Sequence, residues 1–197
     1  MLIVYGSRYG HAKRYAEEFA RRTGGEAVSY KELRSVEEET VVCFGGVYAG
    51  GIKGLARVVR RLNADKVSLF LVATVGLSDP SDEKTAQDLR RAVLAAVPAP
   101  LRQKLRLFHL RGGIDYAELS APHRFLMKLM YSAEKRTPPE KRGAEARAIV
   151  ETYGKAVDFT DFSALDAIAD CAAAKIMLNS IYNSKTEKRS YYAGKHH

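Results

Sequence analysis

The chain has 197 residues, 46% hydrophobic and 28% charged, an ordinary globular balance that supplies the core of one domain and leaves room for an insertion or tail. Its apolar runs fall far short of the roughly 20 residues that span a bilayer, and the start passes straight from an apolar stretch to Gly6, Arg8 and Lys13, unlike a secretory signal. Lysine and arginine number 32 against 23 aspartate and glutamate, a net charge of +9 that favours anionic partners, but no nucleic-acid module is recognisable beside it.

In chain order, residues 2–5 form a compact apolar strand ending at Gly6. Over 11–23, Ala12, Tyr15, Ala16, Phe19 and Ala20 recur at helical spacing, and Gly24-Gly25 stops the helix. A weaker, edge-like strand follows at 26–31, then a buried strand at 40–44 capped by Gly45-Gly46. Leu55, Val58, Val59 and Leu62 predict a helix over 55–62, and 67–75 is the most hydrophobic strand. A helix over 82–97 is broken by Pro98-Ala99-Pro100, and a fifth strand at 105–110 ends at Gly112-Gly113. Continuous apolar strands alternating with helices predict an α/β fold: a doubly wound, five-stranded parallel sheet of order 2-1-3-4-5. In that order strands one and three lie side by side at the topological switch point, where ligands bind beyond the carboxyl ends.

The stretch 114–142 is too long for an ordinary connection and reads as a helical insertion after strand five. Within 123–134, Phe125, Leu126, Leu129 and Met130 share a face flanked by Arg124, Lys128 and Lys135. This face either packs onto the domain, or covers a ligand cleft or an anionic bilayer. Helices are expected over 144–157 and 164–182, with a polar tail at 185–197; residues 1–184 are expected to form a single domain. Residues 101–142 carry ten basic and four acidic side chains, so much of the excess charge lies there. Cys43 and Cys171 are too few for a disulfide framework and sit in apolar strings, implying inert thiols and a cytoplasmic location. His109 lies in a strand and His123 reads as a helix cap; no metal-ligand spacing emerges.

Chemistry is sought in the turns after strands one, three and four. The first, Gly6-Ser7-Arg8-Tyr9-Gly10-His11-Ala12, joins a strand to a helix, so its backbone N–H groups and the positive helix end converge. It is either a phosphate site or a tight turn containing a glycine. It matches neither the Walker loop nor the dinucleotide fingerprint. The second, with Val47, Tyr48, Ala49, Gly50 and Gly51, offers an aromatic face and close backbone approach; the third holds Thr74, Val75 and Gly76.

At these residues the chain resembles flavodoxins, whose first strand runs into a hydroxyl-rich S/T-x-T-G-x-T loop around the phosphate of flavin mononucleotide (FMN). Ser7 and Gly10 stand in register with that loop, while Tyr9 and Ala12 replace its other hydroxyls. The resemblance implies that Ser7, Arg8, Tyr9, Gly10, His11 and Ala12 hold the FMN phosphate. It further implies that Val47 to Gly51 line the flavin ring, with Tyr48 stacked on it, and that Thr74, Val75 and Gly76 face the ring's pyrimidine side. Beyond residue 113, Gly112, Tyr116, "RFLMKLM" and "YGKAVDFTDFSAL" are similar to one branch of the superfamily, the menaquinone-dependent protoporphyrinogen dehydrogenases. An FMN redox protein is therefore expected, working with a redox partner protein. The alternative is an oxidoreductase that takes a porphyrinogen-like substrate and a quinone, with peripheral contact to an anionic inner-membrane face. The remaining alternative is a flavin-free binding or scaffold module. In the redox readings the flavin performs the chemistry, so no side chain is named as catalytic.

Overall fold

The computed structural model describes residues 1–48 and 51–177. Strands β1 (Leu2–Gly6), β2 (Ala27–Ser29), β3 (Thr40–Tyr48), β5 (Leu69–Gly76) and β6 (Leu105–Arg111) pair in parallel in the order β2-β1-β3-β5-β6. A two-residue strand, β4 (Gly51–Ile52), turns back antiparallel onto β3. Counting only the parallel strands, this is the expected 2-1-3-4-5 arrangement. The register pairs Gly6 with Gly45, Gly45 with Thr74, and Gly46 with Val75, so the tips of β1, β3 and β5 lie side by side.

Both faces of the sheet are covered, because successive residues of a strand point to opposite sides. On one face Val42, Phe44, Leu71 and Ala73 pack against helix α1 (His11–Thr23) and against Leu165, Ile168 and Ala172 of the last helix, described over 165–177. On the other, Val41, Cys43, Phe70 and Val72 meet α2 (Leu55–Val59), α3 (Glu83–Ala96) and the short α4 (Ala99–Arg102). The buried face of α1 is Ala12, Tyr15, Ala16, Phe19 and Ala20, as the spacing predicts. Its end also follows the sequence: Gly24 takes φ 68°, a left-handed cap that side chains disfavour.

Several expectations are corrected. The third strand does not stop at Phe44; it runs through Gly45 and Gly46, which pair with β1 and β5, to Val47 and Tyr48, which pair with the returning β4. The predicted helix over 144–157 is α6 (Ala144–Thr152) followed by β8 (Ala156–Asp158), which pairs antiparallel with β7 (Gly113–Asp115). The insertion contains α5 (Ala121–Glu134), and most of its apolar face is left uncovered by the domain: Phe125, Leu126 and Leu129 are 63%, 41% and 52% exposed, and Met130 is half-buried. His123 is not a cap, since Ser120 holds that position. Residues 178–197, which include the tail and the end of the last predicted helix, lie outside the described residues. Among those described, no helix is long and apolar enough to cross a membrane.

Candidate functional site

The site is built where β1 and β3 end. The tips are glycine because the backbone crosses itself there: a Cβ on Gly6 would lie 2.0 Å from the Lys53 carbonyl oxygen, and one on Gly46 would lie 2.7 Å from the Tyr48 ring. The hairpin returning through β4 therefore folds directly over the strand tips, fixed by the Lys53 N–H donating to the Gly46 carbonyl at 2.9 Å.

The first turn is organised from within. Gly10 takes φ 94°, a conformation glycine adopts freely, and its N–H donates to the Ser7 hydroxyl oxygen at 3.0 Å. The Arg8 and Tyr9 amides then aim at one point. That point is occupied by the Tyr48 hydroxyl oxygen, which accepts from Arg8 at 3.1 Å and from Tyr9 at 3.3 Å. Partial burial raises the Tyr48 pKa, opposed by these two donated bonds, so the phenol stays protonated. Its ring leans against Tyr9, with centroids 6.1 Å apart, and faces His123 of α5 at 6.4 Å. The Tyr9 hydroxyl and His123 Nδ1 are bonded at 2.5 Å, which ties the insertion to the first turn. Burial lowers the pKa of His123, and the charges of Arg8 and Lys53 lower it further. The surroundings of the turn are thus electropositive.

His11, the first residue of α1, packs against Gly112 and Gly113, where any side chain would meet its ring. Its Nδ1 lies 3.3 Å from the Thr160 hydroxyl and 3.6 Å from Asp158. Burial lowers the pKa of His11, the Asp158 charge raises it and Arg14 lowers it. Burial alone would raise the Asp158 pKa, but bonds from Thr160 and Arg14 hold it well below the usual carboxylate range. Ala12 is buried in the core beneath α1.

The other predicted residues fall as follows. Val47 is half-buried and lies against Gly76, so the second and third turns touch. Thr74 is fully buried, its hydroxyl 2.7 Å from His109 Nδ1, and Val75 is in the core. Gly51 pairs with Tyr48 and is exposed; Ala49 and Gly50 lie outside the described residues. The structure therefore brings together Ser7 to His11, Val47, Tyr48 and Gly76. Sequence reading did not single out Lys53 or the bond from His123 to Tyr9; the run of glycines from 45 to 54 was the available signal that something folds closely over the tips.

An α/β domain with a 2-1-3-4-5 parallel sheet and an amide-rich turn at its switch point defines a flavodoxin-like protein. The model of the flavodoxin domain family matches residues 2–140, most of the chain, and the chain belongs to that family. Comparison with curated proteins finds no match.

The residues present fit a flavin phosphate. Two backbone N–H groups converge on a single oxygen acceptor at the positive end of α1, which is the donor set a phosphate monoester needs.

Proposed function

We propose that this protein binds FMN at the tips of β1, β3 and β5 and carries electrons through it. The observation that carries this reading is the convergence of the Arg8 and Tyr9 amides on one oxygen, in a family whose domains typically hold a flavin. The flavin supplies the electron and hydride chemistry when bound. The chain's own residues bind and orient it. Ser7 keeps the turn closed by holding the Gly10 amide, Arg8 and the α1 terminus supply positive charge, and Tyr48 supplies a flat aromatic surface. Val47 and Gly76 bound the neighbouring side.

A visible spectrum of the purified protein, before and after adding FMN, tests the reading. Flavin bands bleached by dithionite support it. A colourless protein that ignores added FMN refutes it and leaves a binding or scaffold role.

One observation favours a narrower reading. Helix α5 exposes Phe125, Leu126 and Leu129 beside Arg124 and Lys128, and through His123 it touches the first turn. An apolar, basic helix next to a redox site suits a porphyrinogen-like substrate bearing propionates, oxidised with a quinone at an anionic membrane face. Oxidation of protoporphyrinogen with a menaquinone analogue tests it. Turnover should vanish, with flavin retained, on deletion of residues 120–136. Turnover that survives the deletion removes the helix from the mechanism, and absent turnover leaves an electron carrier for a partner protein.

A further inference from the structure

The Tyr48 hydroxyl sits on the two amides that the FMN reading assigns to phosphate. We infer that Tyr48 is an internal competitor for the phosphate, so that binding a phosphorylated flavin is a displacement and this hydroxyl sets how strongly the site prefers FMN over unphosphorylated riboflavin. The inference rests on the flavin reading for its natural ligand, but the competition itself concerns only the anion.

Three features of the geometry support it. The phenol oxygen accepts both amides at 3.1 and 3.3 Å, long bonds of the kind a neutral acceptor makes. A phosphate oxygen is charged and draws the same donors into shorter bonds, roughly twice as strong. The occupant also has a route out. Tyr48 ends β3, its ring rests over Gly46 without being buried in either core cluster, and among the described residues its hydroxyl makes no bond other than those two. Finally, the occupant is chemically suited to its post. A phenol, neutral at ordinary pH and pushed further from ionisation by partial burial, satisfies two amides that have no other partner among the described residues, and does so without bringing negative charge among Arg8 and Lys53.

Removing the hydroxyl while keeping the ring separates competition from stacking. In Tyr48→Phe the two amides are free for phosphate. Two weak neutral hydrogen bonds no longer have to be broken, and FMN binding should tighten about tenfold. Riboflavin, which has no phosphate, should bind both proteins equally, and inorganic phosphate alone should bind the variant more tightly. Equal or weaker FMN binding in Tyr48→Phe, with riboflavin unchanged, overturns the inference and leaves the flavin reading intact. If neither protein takes up either flavin, the flavin reading falls, and inorganic phosphate alone then decides: tighter binding by the variant supports competition, and equal binding overturns it. Should Tyr48→Phe fail to fold, the wild-type protein provides a second measurement. During titration with inorganic phosphate, the Arg8 and Tyr9 amide signals and the Tyr48 ring signals should shift together by NMR. Amides that shift while the Tyr48 ring stays still overturn the displacement.

Discussion

Replacing Gly6 with alanine adds one methyl group at the tip of β1, 2.0 Å from the carbonyl oxygen of Lys53. Restoring an ordinary contact of 3.4 Å requires a displacement of about 1.4 Å, and the obstacle is backbone, so no rotamer change relieves it. That carbonyl belongs to a segment anchored on both sides. The Lys53 amide donates to Gly46 at 2.9 Å, and the Gly54 carbonyl accepts from Arg57 and Val58 to start α2, both at 3.0 Å. Moving the segment sacrifices one or two of these bonds, each worth about 1 kcal/mol, and adds overpacking strain of about 1–3 kcal/mol. A loss of about 2–5 kcal/mol follows, read as a lowered urea midpoint at unchanged slope. Because the same segment positions Tyr48 over the first turn, FMN affinity should change in the variant as well. A Gly6→Ala protein within about 0.5 kcal/mol of wild type would refute the close crossing of β1 and the β3–β4 hairpin.

Other predictions follow from single contacts. Tyr15→Phe removes a hydroxyl that donates to the Arg111 carbonyl at 2.8 Å and accepts from the Asp161 amide at 2.9 Å; a loss of about 2 kcal/mol, or about 4–8 °C in melting temperature, is expected, and an unchanged melt refutes it. Hydrogen bonds from Arg21 and Arg22 hold the Glu18 carboxyl down to about 2 from its ordinary 4.5, so its stabilisation is present above that ordinary value and is lost as pH falls towards 2. Glu18→Gln should therefore flatten the acid side of the stability curve in that window, and an identical acid limb refutes the pairing. Burial pushes the Cys43 thiol up to about 12, whereas Cys171 is half-buried; native alkylation should label Cys171 and spare Cys43, as checked by peptide mapping. Helix α5 buries no residue while α1 buries five, so amides of α5 should exchange faster than those of α1 by mass spectrometry, and equal protection refutes a lightly held insertion.

What was legible in the sequence was whatever local patterning determines. The five apolar positions of α1 define its buried face because a 3.6-residue repeat admits only one, and the glycine pair at 24 and 25 ends it. The strand order followed from alternation of apolar strands with helices. What escaped depends on distant partners. Strands β7 and β8 have three residues each and pair across some forty intervening positions, too short a pattern to read locally. The amphipathic face of α5 was visible as a stripe, but a stripe does not say what it meets; here Phe125, Leu126 and Leu129 are exposed and Met130 alone of the four is half-buried. Tyr48 was legible as an aromatic beside the site. Its hydroxyl on the first turn was not, since that contact spans about forty residues and depends on how the hairpin folds back.

The basic excess of residues 101–142 invites the idea of a preformed anion pocket, and the side-chain bonds argue against it. Of the ten cations there, six donate to backbone carbonyls: Arg102 to Leu94 and Val97, Lys104 to Ala64, Arg106 to Leu105, Arg111 to Leu77, Arg124 to Leu119, and Arg142 to Glu134, Lys135 and Thr137. Arg102 and Arg142 in this way satisfy carbonyls that helix ends leave open. A cation so engaged keeps its charge and some of its N–H donors, but its orientation is set by the carbonyl it bonds. It contributes to the long-range field that attracts anions, and any grip on one must come from the donors that the carbonyl leaves over. Directional recognition of a phosphate is best served by the two backbone amides of the first turn, which converge on one oxygen, while the basic segment raises the local concentration of whatever anion approaches. On this division of labour, binding of a phosphorylated ligand should depend on salt in its rate of arrival far more than in its rate of departure.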